Sequence, residues 1–369
     1  MTESRASGAS TGAAAAEQTV HAADLPQDKT DPVNIELPAG FDVLADDEQL
    51  TAQVTESLDA VEEQLLAALS STDELANSAA RYLAEAGGKR VRPLLTILTS
   101  LLGDGVDDRV LRAAMVMEMT HLATLYHDDV MDSAPLRRGA PSAHVVWGNS
   151  VAILTGDLIL ARASQLMTEL GDDGPRIQAE TFERLVMGQL KETVGPRGGE
   201  DPYDHYLGVI ANKTGSLVAA AAQLGAYYGR TDPELSQMLQ TYGEAVGIAF
   251  QLADDVIDLT ADGVSSGKAP GTDLREQVPT LPVLLLRRAA QNNDDAAHAA
   301  LELLERDLSG DAELAEAVQA VVSHPVTEEA WAVARSWSTR AKDAISPLPE
   351  STVKAALLSF ADAVVDREG

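Results

Sequence analysis

From residue 47 onward, apolar residues recur at the spacing of amphipathic α-helices, in which positions three and four apart share one face. The first such stretch contains Leu50, Val54, Leu58, Val61 and Leu65. Alternation with a period of two, as in a half-buried strand, is hard to find over a useful length. Gly87-Gly88 is typical of a helix stop, and Pro93 suits the first turn of the next helix. The sequence therefore predicts an all-α domain over residues 47–369.

Residues 1–46 differ in composition from the rest of the chain. They are rich in Ala, Ser, Thr, Gly and Asp, and they include Pro26, Pro32 and Pro38. Such a segment offers too little apolar surface to offset the entropy lost on ordering. We expect a disordered N-terminal tail.

Charge and cysteine content exclude several classes of function. The chain has 58 acidic residues against 27 Lys and Arg, a net charge of −31, which disfavours nucleic acid and anionic membrane surfaces as partners. It contains no Cys, so it has neither disulfides nor thiolate metal sites. We find no secretory signal and no uninterrupted apolar run of about 18 residues. We expect a cytoplasmic protein without stable membrane insertion.

Two acidic clusters interrupt apolar helical runs, DDVMD at residues 128–132 and DDVID at residues 254–258. On a helix the outer aspartates of each cluster, four residues apart, lie one above the other. Two such charges repel by roughly 1 kcal/mol in water and about 4 kcal/mol at an effective dielectric constant near 20. Hard Mg²⁺ accepts oxygen ligands of this kind and usually brings phosphate with it. One copy alone is equally consistent with a solvated helix turn, but two copies favour a magnesium site.

Cationic residues are scarce, so the places where they cluster are informative. The turn GGKRVRP at residues 87–93 brings three cations to a helix start, where backbone N–H groups and the helix dipole attract anions. Arg137-Arg138 follows the first acidic cluster, and arginine suits bidentate phosphate recognition. Lys213-Thr214 interrupts an apolar helical run, and Lys268 follows the second cluster. Each could be an ordinary solvated residue, but together they predict two diphosphate sites with bridging Mg²⁺.

His121 lies seven residues before Asp128, two helical turns away and on the same face. A ligand-binding role and a satisfied core role both stay open for it. His127 faces elsewhere and is expected to be a structural hydrogen-bonding residue.

The order and spacing of these motifs resemble those of the trans-isoprenyl (polyprenyl) diphosphate synthases, from about residue 50 to the C terminus. The matching segments are GGKRVRP (87–93), HLATLYHDDVMD (121–132), RRG (137–139), GD (156–157), KT (213–214), FQLADDVID (250–258), GK (267–268) and DLRE…TLP (273–282). The resemblance implies a helical bundle around a deep central cavity, usually as a homodimer. Gln277 departs from the glycine that the family often has there.

The resemblance also implies roles for individual residues. Three Mg²⁺ ions would bridge the diphosphate of an allylic substrate, bound by Asp128, Asp132 and Asp254 with support from Asp258. The same diphosphate would contact Arg137, Lys213 and Lys268. The residues near the reacting carbon would be Thr214 and Gln251. The diphosphate of isopentenyl diphosphate would be held by Lys89, Arg92, His121 and Arg138.

The implied reaction is a head-to-tail condensation. The allylic C–O bond ionises, the metal and cations stabilise the departing diphosphate, and the double bond of isopentenyl diphosphate attacks the carbocation. No carboxylate or histidine is evidently placed as a base away from the metal, so the departing diphosphate is expected to take the proton.

Three alternative functions fit the sequence less well. A class I terpene cyclase needs no second substrate site, whereas this chain has GGKRVRP and a second full acidic motif. A non-catalytic partner subunit of a heteromeric synthase would have lost acidic or cationic residues that are all present here. A calcium-binding acidic protein would not explain the clustered cations.

Product length depends on the turn before the first acidic motif, which carries Ala123 and Thr124. In the family a bulky aromatic residue there forms a floor that stops growth at farnesyl. The small residues predict a long product, octaprenyl or nonaprenyl, of the kind used for quinone side chains. If Met115 or Met119 forms a lower floor instead, the product would be geranylgeranyl diphosphate.

Overall fold

The computed structural model describes residues 37–260 and 270–366, and it confirms the predicted all-α class. The helices are α1 (Glu48–Leu69), α2 (Glu74–Glu85), α3 (Val91–Ser100), α4 (Asp108–Met131), α5 (Ala143–Trp147), α6 (Asn149–Leu170), α7 (Gly174–Val194), α8 (Pro202–Ile210), α9 (Ser216–Tyr228), α10 (Pro233–Thr260), α11 (Thr272–Arg275), α12 (Leu281–Gln291), α13 (Asp295–Leu304), α14 (Asp311–Val322), α15 (Val326–Ala344) and α16 (Thr352–Ala363). A short antiparallel pair, β1 (Leu136–Arg137) with β2 (Ala140–Pro141), follows α4. One turn of π-helix, Ala211–Gly215, joins α8 to α9.

The bundle is centred on α9, which packs against α3, α4 and α10. Nearly all of α9 is buried, because small residues let its neighbours approach its backbone. A Cβ atom added at Gly225 would lie 2.1 Å from the carbonyl oxygen of Thr96 in α3. One added at Gly243 in α10 would lie 2.7 Å from the carbonyl oxygen of Val218. This close packing fixes the positions of α4 and α10, the two long helices that end in the acidic motifs.

The packed part of the chain begins earlier than the predicted boundary at residue 46. Phe41 and Leu44 are fully buried, and the Phe41 ring stacks on Phe360 of α16 with 4.6 Å between centroids. Two isolated apolar residues carry no periodicity, so no sequence pattern indicated this contact. Residues 1–36, the rest of the predicted tail, lie outside the described residues.

Among the described residues, helix α6 is the candidate for a membrane span, although Asp157 and Arg162 interrupt its apolar run. It is long and apolar enough to cross a bilayer by length and composition alone, a criterion that core helices of globular proteins also meet. Ile153 and Leu154 of α6 are exposed, so this helix presents an apolar face at the surface.

A buried ion cluster fixes the turn before α3. The backbone of Arg90 is left-handed (φ 46°), and its guanidinium, 2% exposed, donates to both carboxylate oxygens of Glu62 at 2.7 Å. It also donates to Glu118 at 3.0 Å. Burial alone would lower the pKa of Arg90, but the two carboxylates outweigh it and raise that pKa. One of the three cations predicted for anion binding therefore links α1 and α4 to the start of α3.

Replacing Glu62 with Gln should destabilise the fold, because Arg90 would lose its bidentate partner while remaining buried. Breaking a buried ion pair typically costs about 3–5 kcal/mol, and Glu118 remains, so we expect a loss of about 3 kcal/mol. Urea denaturation would measure the free energy of unfolding. The control is Glu63→Gln, at the exposed next position of α1, which should change it by less than about 0.5 kcal/mol. Equal stability of the two variants would contradict a structural role for the cluster.

Candidate active site

The first acidic motif forms the last turn of α4, with Asp132 as the C-terminal cap. Asp129, the middle aspartate, is fully buried. The β1–β2 pair reverses the chain and brings back Arg137, whose Nε and Nη2 donate to Asp129 Oδ1 at 2.7 and 2.6 Å. Arg137 was predicted to hold a diphosphate, and in this structure part of its guanidinium binds this aspartate. Because a guanidinium has five N–H donors, others stay available for a ligand.

The second motif lies in the last two turns of α10 and uses its middle aspartate in a similar way. Asp255 is buried and accepts hydrogen bonds from the Tyr206 hydroxyl and, at 3.0 Å, from the backbone N–H of Leu281. Burial raises the pKa of Asp255 to about 7 although these hydrogen bonds oppose the shift. Asp258 accepts from the backbone N–H of Asp273 at 3.1 Å. In both motifs, therefore, the middle aspartate anchors a helix end.

The outer aspartates have the chemistry of a divalent-cation site. Burial, together with the charges of Asp132 and Glu192, raises the pKa of Asp128 to about 6 against the opposing charges of Lys213 and Arg137. A cation would relieve this repulsion, and carboxylate oxygens are suitable ligands for Mg²⁺. Among the described residues, no three acidic or histidine side chains converge as a ready-made ion site. Ions bound at Asp128, Asp132, Asp254 and Asp258 would therefore need further ligands, such as phosphate oxygens and water.

Lys213 and Thr214 lie on the π-helical turn, a rare conformation that is frequent at functional sites. The Thr214 hydroxyl donates to Gln251 Oε1 at 3.2 Å, and Gln251 lies one turn before the second acidic motif. The Lys213 ammonium lies 2.6 Å from Glu192 Oε2 of α7. Because Lys213 also influences the pKa of Asp128, the π turn connects the surroundings of the two motifs.

Arg184 of α7 holds the π-helical turn in position through hydrogen bonds. The sequence analysis did not identify this residue. Its Nε donates to Asn212 Oδ1 at 3.0 Å, and Nη2 donates to the carbonyl oxygen of Ala211 at 3.3 Å. The same Nη2 donates to Glu244 of α10 at 3.1 Å. The partners are 27 to 60 residues away in sequence, so no local pattern could have identified this contact.

A cavity of roughly 350 Å³ contains all four residues predicted to hold the diphosphate of isopentenyl diphosphate. Its polar lining consists of Lys89, Arg90, Arg92, Glu118, His121, Arg138 and Thr214. Its apolar lining includes Val218, Val246, Phe250 and Phe360. We call this space the cation cavity.

Positive charge is in excess in the cation cavity. Burial, followed by the charges of Arg92 and Arg138, holds the pKa of His121 well below its usual value. Burial also lowers the pKa of Arg92, whose Nε is buried without a hydrogen-bond partner among the described residues. Arg138 donates to the carbonyl oxygens of Leu83 and Gly87. A bound anion would supply both the missing acceptor and the missing counter-charge.

A second cavity of roughly 560 Å³ lies between α4, α6 and α7 and was not foreseen. Thr120, Leu160, Phe182, Val186 and Met187 contribute to its lining. Ala123 and Thr124, the predicted chain-length residues, are buried in α4 and are not part of the lining of either cavity. Lys268 lies outside the described residues.

Comparison with known proteins identifies the family of this chain. Residues 73–321 match the model of the polyprenyl synthetase family. The chain is 42% identical over 332 residues to the nonaprenyl diphosphate synthase of Mycobacterium tuberculosis, covering 90% of this chain and 98% of the relative.

Crystal structures of related enzymes have the same fold. A geranylgeranyl pyrophosphate synthase from Corynebacterium glutamicum, complexed with calcium and isoprenyl diphosphate, is 41% identical with a TM-score of 0.78, covering 86% of this chain and 97% of that chain. A polyprenyl synthase from Caulobacter crescentus is 30% identical with a TM-score of 0.80, covering 90% of this chain and 100% of that chain. The chain therefore belongs to the polyprenyl synthetase family of prenyltransferases.

Proposed function

We propose that this prenyltransferase uses Mg²⁺ to condense isopentenyl diphosphate with an allylic diphosphate, head to tail and in the trans configuration. The observation that carries the proposal is the cation cavity, in which Lys89, Arg92, His121 and Arg138 surround one space. These residues would hold the diphosphate of isopentenyl diphosphate. The calcium and isoprenyl diphosphate in the Corynebacterium glutamicum enzyme support a site of the same chemistry here.

The allylic diphosphate belongs on the other side of Thr214, with the acidic motifs. Asp128, Asp132 and Asp254, supported by Asp258, would hold three Mg²⁺ ions beside it. Bound there, Mg²⁺ would stabilise the negative charge that develops on the leaving diphosphate. Arg137, Lys213 and Lys268 would add hydrogen bonds and charge to the same oxygens.

The side chains around the π turn would act on the reacting carbon. The hydrogen bond between Thr214 and Gln251 places a hydroxyl and an amide oxygen beside Lys213, and such dipoles stabilise a carbocation. His121, whose pKa is depressed, is neutral before substrate binds and would donate one N–H to the diphosphate of isopentenyl diphosphate. The departing diphosphate would accept the proton that the condensed carbocation loses as the new double bond forms.

The surface supports a homodimer. Monomeric proteins rarely expose large contiguous apolar patches, yet α6 and α7 together expose Ile153, Leu154, Val186, Met187 and Leu190. A second copy packed on this face would bury these residues. The net charge of −31 disfavours nucleic-acid partners, and the lack of Cys in the sequence suits a cytoplasmic enzyme.

We favour octaprenyl or nonaprenyl diphosphate as the product, because Ala123 and Thr124 are small. The nonaprenyl diphosphate synthase of Mycobacterium tuberculosis supports this choice. The second cavity supports it too, since Thr120 lies one helical turn before Thr124 and lines that space.

Geranylgeranyl diphosphate is the second candidate. Met115 and Met119 are buried in the preceding turns of α4, where they could form a floor, and the Corynebacterium glutamicum relative makes the shorter product its name states.

Asp128→Asn and Asp254→Asn should each lower turnover by about 10³-fold or more, because a charged ligand of the leaving-group metal is lost. Incorporation of radiolabelled isopentenyl diphosphate into butanol-soluble product would measure turnover. The control is Asp108→Asn, at an exposed position in the first turn of α4, the helix that carries Asp128. This variant should leave the rate unchanged. EDTA should abolish the wild-type rate, and Mg²⁺ should restore it. Full activity in metal-free buffer would contradict the proposal.

Ala123→Phe should shorten the product, because the ring would fill space that a further isoprene unit needs. Chromatography of the dephosphorylated products would show the change. The control is Ala123→Ser, which stays small and should preserve the product length. A folded, active Ala123→Phe enzyme with an unchanged product distribution would place the tunnel elsewhere and remove the basis for a long-chain product.

A further inference from the structure

Glu192 of α7 has no role in the proposed reaction, yet it lies close to residues that the proposal places in the active site. Its Oε2 is 2.6 Å from the ammonium of Lys213, and both side chains are partly exposed, at 41% and 26%. Its charge raises the pKa of Asp128 in the first acidic motif. It also raises the pKa of Tyr206, the partner of Asp255 in the second motif. Glu192 is therefore a carboxylate within electrostatic reach of both motifs.

The backbone segments that carry this pair are packed closely together. One turn earlier in α7, a Cβ atom added at Gly188 would lie 2.8 Å from the backbone nitrogen of Lys213, so α7 and the π turn are in direct backbone contact. Arg184 ties α7 to both Asn212 and Ala211 of the same turn. Because the backbones cannot separate easily, Glu192 and Lys213 remain neighbours whether or not a ligand is present.

Because Glu192 is negatively charged, it competes with a bound diphosphate for the ammonium of Lys213. A diphosphate held by Lys213 must draw the ammonium away from Glu192 or share it with Glu192. Ion pairs between partly exposed groups are weak, so a diphosphate supported by metal can displace Glu192. The carboxylate stays close enough to recapture Lys213 when the anion leaves.

We propose that Glu192 is a counter-carboxylate for Lys213 that exchanges with the diphosphate in each turnover. Without ligand it holds Lys213 beside the acidic motif. It gives up the ammonium when the allylic diphosphate binds and takes it back as pyrophosphate departs, which speeds product release. Glu192 is a positioning residue in this scheme, and the inference rests on the proposed contact between Lys213 and the allylic diphosphate.

Glu192→Gln keeps the size of the side chain and removes its charge. With Mg²⁺, the full-length variant should bind inorganic pyrophosphate about two- to fivefold more tightly, the range expected for loss of a weak ion pair. The KM for farnesyl diphosphate should fall by a similar factor, and kcat should fall because pyrophosphate leaves more slowly. The KM for isopentenyl diphosphate should not change. Glu180→Gln, an exposed acid of α7 that pairs with Arg176, is the control and should behave as the wild type.

A double-mutant cycle separates this role from others. In a Lys213→Ala background, Glu192→Gln should no longer tighten pyrophosphate binding, because the exchange acts through the ammonium. Weaker pyrophosphate binding with a higher Mg²⁺ requirement would instead make Glu192 a metal ligand and overturn the proposal. Unchanged binding, or an equal effect in both backgrounds, would also overturn it. Calorimetry of pyrophosphate binding needs no turnover. Its result therefore tests the role of Glu192, whereas formation of polyprenyl product by the wild-type enzyme tests the proposed function.

Discussion

The compensation of buried charge at the ends of two long helices is the constraint on which the site depends. Asp129 and Asp255 are buried, and each would be strongly unfavourable without partners. Arg137 compensates the first, while the Tyr206 hydroxyl and the Leu281 N–H compensate the second in part, since burial still raises the pKa of Asp255 to about 7. These contacts also fix the loops that follow α4 and α10. The outer aspartates of both motifs are therefore carried on anchored helix ends, as a site for metal and diphosphate requires.

The same need for charge compensation divides the cationic residues into two groups. Arg90 has two carboxylate partners and is part of the scaffold. Arg92 and His121, in the adjacent cavity, have depressed pKa values, and Arg92 Nε is buried without a partner among the described residues. Balanced charges hold the helices together, and the unbalanced charges next to them are the ones that an anionic substrate would stabilise.

Sequence reasoning succeeded where the signal was local. Helical spacing predicted the all-α class, because the period of the apolar residues reflects which face is buried. The resemblance predicted four residues that prove to line one cavity. It could not reveal the structural role of Arg90, whose partners are each 28 residues away, or that of Arg184. The second cavity arises from three helices packed together, and the early start of the domain depends on a contact between Phe41 and Phe360 near opposite ends of the chain.

The central claim is that the two substrates bind at chemically different sites, one cationic and one built on metal. Calorimetric titration of isopentenyl diphosphate and of the unreactive analogue farnesyl thiolodiphosphate, each with Mg²⁺ and with EDTA, tests it most directly. Since the cation cavity supplies its own charge, the Kd of isopentenyl diphosphate should change by less than about threefold in EDTA. The analogue should lose about 100-fold or more in affinity, because its diphosphate would bind through Mg²⁺. Equal losses for both compounds would contradict the account, and so would undiminished binding of the analogue in EDTA.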